Sequence, residues 1–402
     1  MNRRIWTYSP TTTGGHARYT QSLMEGLSRV APPGDRLALL TGRGLDARYR
    51  SDLYETHAVL PGIRPRGEVP SALAWGAGRA AEYWSRDRTA RRYLTGLGAD
   101  LVHVQEMRLG TAVPFSRGLR RRGTRVVMTV HNVRPHTYLL PEPVHRRLNV
   151  AGWRACDALV VHTEGLREEI LREAGGALPP VFVVPHGVWR AGALGGEPLR
   201  APAAGPTVLF YGTIRENKGL HLLLDALRKL PDVRLVVAGS TVEPAYFERE
   251  VAGRVAALRA LGHVVETRFE FVPDEEVAAV FADADVLALP YTAFAAQSGV
   301  LYDAVSHDVP VVASRQGGPG EFLEAYPIGD TFDGTPSDLA RALRRVLSGD
   351  TAVLRAHLAR ARAELSWDAV ARRTYSVYDE VLGAVGEGPR PTTESAPGSL
   401  RA

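Results

Sequence analysis

Short, nearly all-apolar runs alternate along this chain with longer amphipathic stretches. The runs are Ile5–Tyr8, Leu37–Leu40, Leu101–Val104, Val126–Val130, Ala158–Val161 and Val181–Val184, then Val208–Tyr211, Leu235–Ala238, Phe269–Val272, Val286–Leu289 and Val309–Ala313. A strand without a polar face has to be covered on both sides. Helices packed on the two faces of a parallel sheet provide that cover. The intervals leave room for a helical crossover between successive strands, so a parallel α/β architecture is expected. The alternation breaks at Trp189–Pro206, a segment of Gly, Pro and Ala that can continue neither a helix nor a central strand. A fresh α/β series starts after it. The reading is therefore two α/β domains, residues 1–188 and 206–366, joined by a linker at 189–205, with a cleft between them. From Gly386 onward the chain is polar and rich in Pro and Gly, and residues 385–402 are expected to be a disordered tail.

Composition narrows the function more than the fold. The 402 residues carry a net charge of +5 spread along the chain, which gives no footprint for a nucleic acid. Lys218 and Lys229 are the only lysines beside abundant arginine, Ala and Gly. That bias is expected of a GC-rich bacterial genome, and it strips the arginine count of functional meaning. Cys156 is the single cysteine, so no disulfide can form within the chain and a reducing compartment fits. Its apolar surroundings read as those of a buried structural thiol. The segment Met1–Tyr8 is not a secretory signal, and no run of about 20 apolar residues exists to span a membrane. The expected location is cytoplasmic, or peripheral at the inner face of the membrane. Asp283-Ala284-Asp285 ends a helix before a strand and reads as a connector. No His/Cys cluster has transition-metal spacing, so neither a metal nor a resident cofactor is expected.

Three segments carry candidate chemistry. In Val208–Ala226, a strand runs into a glycine turn at Gly212, then Arg215 and Lys218, then a helix from about Gly219. A glycine turn, two cations and the positive end of a helix suit a diphosphate; without its neighbours the loop would read equally as an ordinary βα connection. In Val286–Ser314, a buried strand ends at Pro290 and a helix starts at Ser298, a residue suited to an N-cap. The amides of Gly299, Val300 and Leu301 would face a bound phosphate. Asp303, a turn further on, is placed to accept a ribose hydroxyl. The third segment, Gly317-Gly318-Pro319-Gly320-Glu321, permits close packing against a ligand or is simply a turn.

In this order and spacing the segments resemble the C-terminal half of retaining glycosyltransferase family 4, which has the GT-B fold of two Rossmann-like domains facing each other across a cleft. Phe271-Val272-Pro273-Asp274 is similar to that family's loop near the nucleobase, and Ser366-Trp367-x-x-Val370-Ala371 to the opening of its last helix, expected here over 367–384 and returning to the first domain. The N-terminal half is similar at Pro10-x-x-x-Gly14-Gly15-His16-Ala17-Arg18-Tyr19, at Val102–Glu106, at Met128–Asn132 and at Val183–Val188. Two positions of the second domain depart from the pattern: Thr213 stands where arginine is usual, and Ala295 where the first carboxylate of a Glu-x7-Glu pair is usual, the second falling on Asp303; at the interdomain entry His186 stands where asparagine is commoner.

The resemblance implies an acceptor-binding first domain and a second domain that binds a nucleotide sugar, UDP- or GDP-linked. It implies transfer to a hydroxyl on a glycan, a lipid-linked or a small-molecule acceptor, with retention of anomeric configuration, in polysaccharide assembly or natural-product glycosylation. His131, Arg215 and Lys218 take the catalytic positions. Gly14, Gly15, Gly212, Val272, Gln297, Ser298, Gly299, Val300, Leu301 and Asp303 take the donor-binding ones, and His16 and Glu106 face the acceptor. An inverting transferase or nucleotide-sugar epimerase on the same fold, and a catalytically silent nucleotide-sugar-binding subunit, remain as alternatives. The basic run Arg117–Arg122 reads either as a solvated helix end or as a face toward anionic lipid or an acidic acceptor.

Overall fold

The structure, a computed structural model, describes residues 2–62, 72–107, 110–134, 141–189, 205–292 and 298–383, without the side chains of residues 72–77 and 79. The first sheet contains β1 (Arg4–Tyr8), β2 (Arg36–Gly42), β3 (Glu55–Leu60), β4 (Leu101–Val104), β5 (Arg125–Thr129), β6 (Ala158–Val161) and β7 (Val181–Val183). Its helices are α1 (Gly14–Val30), α2 (Ala72–Leu97), α3 (Ala112–Arg120), α4 (Glu142–Arg154) and α5 (Glu164–Ala174). The second sheet contains β8 (Thr207–Tyr211), β9 (Arg234–Ala238), β10 (Val265–Arg268), β11 (Val286–Leu289), β12 (Val311–Ser314) and β13 (Gly329–Phe332). With it go α6 (Leu220–Leu227), α7 (Pro244–Tyr246), which continues through a π-helical stretch into α8 (Gly253–Ala260), then α9 (Asp274–Ala282), α10 (Gly299–Ser306), α11 (Gly318–Ala325) and α12 (Pro336–Leu347). Two further helices, α13 (Thr351–Glu364) and α14 (Trp367–Gly383), end the described chain.

Both sheets are parallel throughout, in the orders β3-β2-β1-β4-β5-β6-β7 and β10-β9-β8-β11-β12-β13. The central strands bury every residue on both faces: Leu101–Val104, Ala158–Val161, Val286–Leu289 and Val311–Ser314 are buried throughout. This is the two-sided cover that their apolar sequences require. The edges depart from the sequence reading. Phe269–Val272 is not a strand; β10 lies just before it at Val265–Arg268 and pairs only with β9. β3 and β13 were not anticipated at all. All three are edge strands whose residues are mostly half-buried, so their sequences carry no continuous apolar run. Residues 190–204 of the expected linker and 384–402 of the tail lie outside the described residues.

Helix α14 places buried residues at Trp367, Val370, Ala371, Thr374, Tyr375, Tyr378 and Val381, one stripe at helical spacing. That stripe packs on α1 of the first domain. Arg29 Nε donates to Asp368 at 2.7 Å, and the Tyr378 hydroxyl meets His103 Nδ1 at 2.7 Å. The helices approach closely because α1 carries Gly26 at the crossing: a Cβ there would stand 2.5 Å from the Trp367 carbonyl oxygen. Gly26→Ala should therefore lower Tm. Alanine gains up to ~1 kcal/mol of helix propensity, but overpacking against backbone costs ~1–3 kcal/mol. A thermal melt showing a raised Tm would mean that α14 is free to shift away from α1.

Candidate functional site

In each sheet the strand order reverses beside the first strand, between β1 and β4 and again between β8 and β11. The connections leave such neighbours toward opposite faces and open a crevice at their carboxyl ends, where ligands of doubly wound sheets bind. The two crevices face each other. They form a cleft of ≈ 580 Å³ lined from the first domain by Gly14, Gly15, Arg18, Arg48 and Tyr49 and from the second by Gly212, Lys218, Ser240, Val272, Ser298, Gly299, Val300 and Asp303, among others.

Two helix N-termini open on this cleft. The 17-residue α1 starts at Gly14 with no side-chain cap on its first amides. The other helix, α10, starts at Gly299, and Ser298 occupies the N-cap position without capping: its hydroxyl is engaged with the Tyr291 hydroxyl at 2.8 Å. The helical amides are left for a ligand. The expectation for Leu301 is corrected here. Its amide already donates to the Ser298 carbonyl at 3.0 Å and its side chain is fully buried, because the first turn of α10 closes on itself. Gly299 and Val300 remain on the wall.

Lys218 ends a 3₁₀ turn, Glu216–Lys218, and its ammonium stands 3.8 Å from the centroid of the Tyr291 ring. Gly219 makes this approach possible. It has φ +65°, and a Cβ there would lie 1.8 Å from the Pro290 carbonyl oxygen. Arg215 precedes the same turn and is not on the cleft wall; its Nε is buried without a hydrogen-bond partner. The β8–α6 connection thus places Lys218 on the cleft wall and Arg215 outside its described lining.

Asp303 lines the cleft but is occupied. Its Oδ1 accepts from Arg18 Nη1 at 2.9 Å, an ion pair between α1 of the first domain and α10 of the second. Burial pushes the Asp303 carboxyl up to about 6, against the pull of Arg18. A second ion pair crosses the same gap: Arg48 reaches Asp274 at 3.6 Å, and the Tyr49 hydroxyl donates to that carboxylate at 3.2 Å. Sequence reading missed Arg18, Arg48 and Tyr49. Their partners lie more than 200 residues away, and although Arg18 falls inside the glycine-loop motif, nothing local marks an ion pair.

His131, His16 and Glu106 are not on the cleft wall either. The Glu106 carboxylate accepts the Thr11 hydroxyl at the end of the β1 loop. His131 belongs to a packed histidine row. His162 Nδ1 donates to the Val184 carbonyl at 3.0 Å, so in a neutral ring Nε2 accepts, and His131 Nδ1 donates to it at 3.0 Å. His131 Nε2 is then a buried acceptor with no partner. His16 meets the His131 ring edge-on at 4.8 Å, and His186 stacks on Tyr302 of the second domain at 4.2 Å. Gln297 lies outside the described residues.

The remaining motifs serve structure. Glu321 accepts the Gly165 amide at 3.1 Å, bracing α11 of the second domain against α5 of the first. Asp285 accepts the Thr207 amide at 2.7 Å, as a connector does. Cys156 is buried, and burial pushes its thiol up to about 12, away from any nucleophilic role. In the basic run, Arg120 pairs with Asp157, as does Arg125 just beyond the run, at the amino end of β5 and the opposite end of the sheet from the cleft. That position removes the run from contact with an acceptor bound in the cleft. No helix among the described residues is long and apolar enough to cross a membrane.

The histidine row has a measurable cost. Burial lowers His103 to about 3 and His162 to about 4, and holds His131 and His186 well below the ordinary value of 6.5. The unfolded chain binds these protons near pH 6.5 and the folded chain does not. The stability they permit is complete above pH 6.5 and is lost as pH falls toward about 4. Denaturant titrations should show stability falling across that window with an uptake of several protons on unfolding. His186→Asn should reduce that uptake by about one proton; an unchanged slope would place the sensitivity elsewhere.

Comparison with known proteins fits the geometry. The sequence model of glycosyltransferase family 4 matches residues 13–189, and that of the glycosyl transferases group 1 matches residues 205–349. The chain is similar to alpha-maltose-1-phosphate synthase of Mycolicibacterium smegmatis, 27% identical over 332 residues, 73% of this chain and 85% of that protein. It spans about half the length of several further relatives at 28–33% identity. Among solved structures, sucrose-phosphate synthase of Thermosynechococcus elongatus superposes with a TM-score of 0.69 at 20% identity, covering 95% of this chain and 100% of that one. Anabaena HepE, solved in complex with UDP and glucose, superposes with a TM-score of 0.68 at 17% identity, covering 94% and 100%. With a glycosyltransferase domain on each side of the cleft and the fold matched over nearly its whole length, the chain is a glycosyltransferase of the family 4 type with the GT-B fold.

Proposed function

We propose that the protein transfers a glycosyl group from a UDP- or GDP-linked sugar to a hydroxyl acceptor, with retention of anomeric configuration and without a metal. The observation that carries this reading is the convergence of Lys218 with the open N-termini of α1 and α10 on one cleft. Breaking the anomeric C–O bond passes through an oxocarbenium-like state and leaves negative charge on the diphosphate. An ammonium and two helix termini, fixed before the substrate arrives, stabilise that charge with little reorganisation. A nucleoside diphosphate as ligand is consistent with this reading, since HepE, which shares the fold, was solved with UDP. Asp303 is paired with Arg18 and is a poor nucleophile for a double displacement. That arrangement favours a front-face route in which the leaving phosphate takes the acceptor proton. The acceptor, a glycan, lipid-linked or small-molecule hydroxyl, is assigned to the first-domain side of the cleft. The location proposed for this activity is the cytoplasm, or the inner face of the membrane.

The test is a donor screen by nucleotide release, with the anomeric configuration of the product read by NMR. Activity should be unaffected by EDTA; loss on chelation with recovery on adding Mn²⁺ or Mg²⁺ would contradict the metal-free site. Lys218→Ala should lower kcat on the order of 10²-fold, as removal of a charge-stabilising donor does. Arg215→Ala, which changes a cation off the cleft wall, should lower it less. Lys229, whose ammonium donates to Ser337 at 2.6 Å on the exposed surface, should tolerate alanine with normal turnover. If Lys218→Ala turns over at the wild-type rate with saturating donor, the diphosphate sits elsewhere.

A further inference from the structure

The Arg18–Asp303 pair has features that a simple staple between domains would not need. Asp303 lies on the donor side of the cleft, is 8% exposed at its side chain, and engages only one of its two carboxylate oxygens, Oδ1, with Arg18. Among the described residues, Oδ2 has no hydrogen bond. Arg18 comes from the opposite domain and is itself held. Its guanidinium lies 4.2 Å from the centroid of the Trp189 ring, and Trp189 is anchored to the second domain: its indole donates to the Gly299 carbonyl at 3.3 Å, and its own carbonyl accepts from Ser306 at 2.9 Å. The cation is therefore fixed by packing before it meets the carboxylate.

The groups around Asp303 decide its charge. Arg18 faces it from α1, Asp274 from α9 and the Tyr211 hydroxyl from the end of β8. Burial and Asp274 both oppose ionisation, and Arg18 is the one cation among these that favours it. A carboxylate that is to accept two hydroxyl hydrogen bonds from a ribose must be ionised; protonated, it spends one oxygen as a donor.

We propose that Arg18 is a positioning residue supplied by the first domain, which keeps Asp303 ionised and leaves its second oxygen open to the ribose of the nucleotide sugar. The inference rests on the nucleotide-sugar reading given above. Its consequence is that the nucleotide site of the second domain is completed by the first, so nucleotide recognition is coupled to closure of the cleft before any acceptor binds.

The experiment is calorimetric titration of the full chain with UDP-glucose and with GDP-mannose between pH 5 and 8.5. Both are diphosphate diesters that do not titrate in this range. Wild type should lose affinity as pH falls through about 6, where Asp303 takes up its proton. Arg18→Met keeps the packing on Trp189 and removes the charge. It should move that midpoint up by ~2 units and so weaken binding about ten-fold at pH 7, while affinity recovers toward pH 8.5. Arg18→Lys should restore the wild-type midpoint, and Asp303→Asn should abolish the pH dependence. A structural staple would lower Tm or affinity uniformly and leave the midpoint in place. That result with folded Arg18→Met overturns the inference and leaves the nucleotide-sugar reading standing. Failure of wild type to bind either donor at any pH overturns both.

Discussion

The indole of Trp367 is where the two domains, the chain that passes between them and the returning helix become one body. It opens α14 in contact with α1 and with the segment His186–Trp189. Tyr19 of α1 meets it at 5.2 Å, edge-on; Trp189 lies beside it at 5.7 Å; His186 is at 5.6 Å; and Gly187 leaves so little room that a Cβ there would stand 2.5 Å from the ring. His186 in turn stacks on Tyr302 of α10, which carries the contact into the second domain. Aromatic rings suit this junction because each buries a large area with few rotatable bonds, so the hinge is stiff where the chains cross. The cleft inherits its width from that junction. The crossing ion pairs, Arg18–Asp303 and Arg48–Asp274, have the geometry they do because the aromatic block has already brought α1 and α10 to hydrogen-bond distance.

Charge is distributed across the cleft with one sign on each side of these pairs: both arginines belong to the first domain and both carboxylates to the second. In a partly desolvated gap such attractions are larger than at an open surface, but they do not come without cost. Burial that strengthens the pair also raises the Asp303 carboxyl toward neutrality. The same trade appears in the histidine row behind the β1 and β5 ends, where four imidazoles are held neutral by desolvation and by one another. Polar groups kept at a cost to stability gather around the cleft, as sites built for binding rather than for stability do.

What the sequence disclosed follows from where each element sits. Central strands must be apolar on both faces, and so β1, β4, β6, β8, β11 and β12 could be read from runs of Val, Leu and Ala. Edge strands are covered on one side only, and β3, β10 and β13, with sequences such as Val-Glu-Thr-Arg and Gly-Asp-Thr-Phe, look like loops. The second-domain wall was largely legible for a similar reason: Gly212, Lys218, Ser298, Gly299, Val300 and Asp303 lie on two βα connections whose glycines and cations are local signals. Arg18, Arg48 and Tyr49 gave no such signal, because an ion pair between α1 and α10 is a product of the domain arrangement. Leu301 was misjudged for a finer reason. The amides of a helix's first turn are open only as far as no 3₁₀-type bond closes on the N-cap carbonyl, and here one does at the third residue.

The backbone character of the site bears on the two departures from the family pattern. A side chain that contacts a ligand can be lost in one substitution. An amide at a helix N-terminus cannot, provided the helix starts at the same residue. On the reading proposed for this cleft, much of the diphosphate's environment consists of such amides, from Gly14 and Gly15 at one helix start and Gly299 and Val300 at the other. Their positions are set by the β1 and β11 strand ends, which are fixed by burial in the sheets. Thr213 in place of an arginine therefore removes one charge from a site that retains Lys218 and two helix termini. Ala295 in place of a carboxylate, on the same reading, bears on the sugar rather than on the phosphates. On that reading the departures bear on which sugar the cleft accepts more than on whether it can hold a nucleoside diphosphate, because the phosphates are met by helix amides together with Lys218 and the sugar hydroxyls by other side chains.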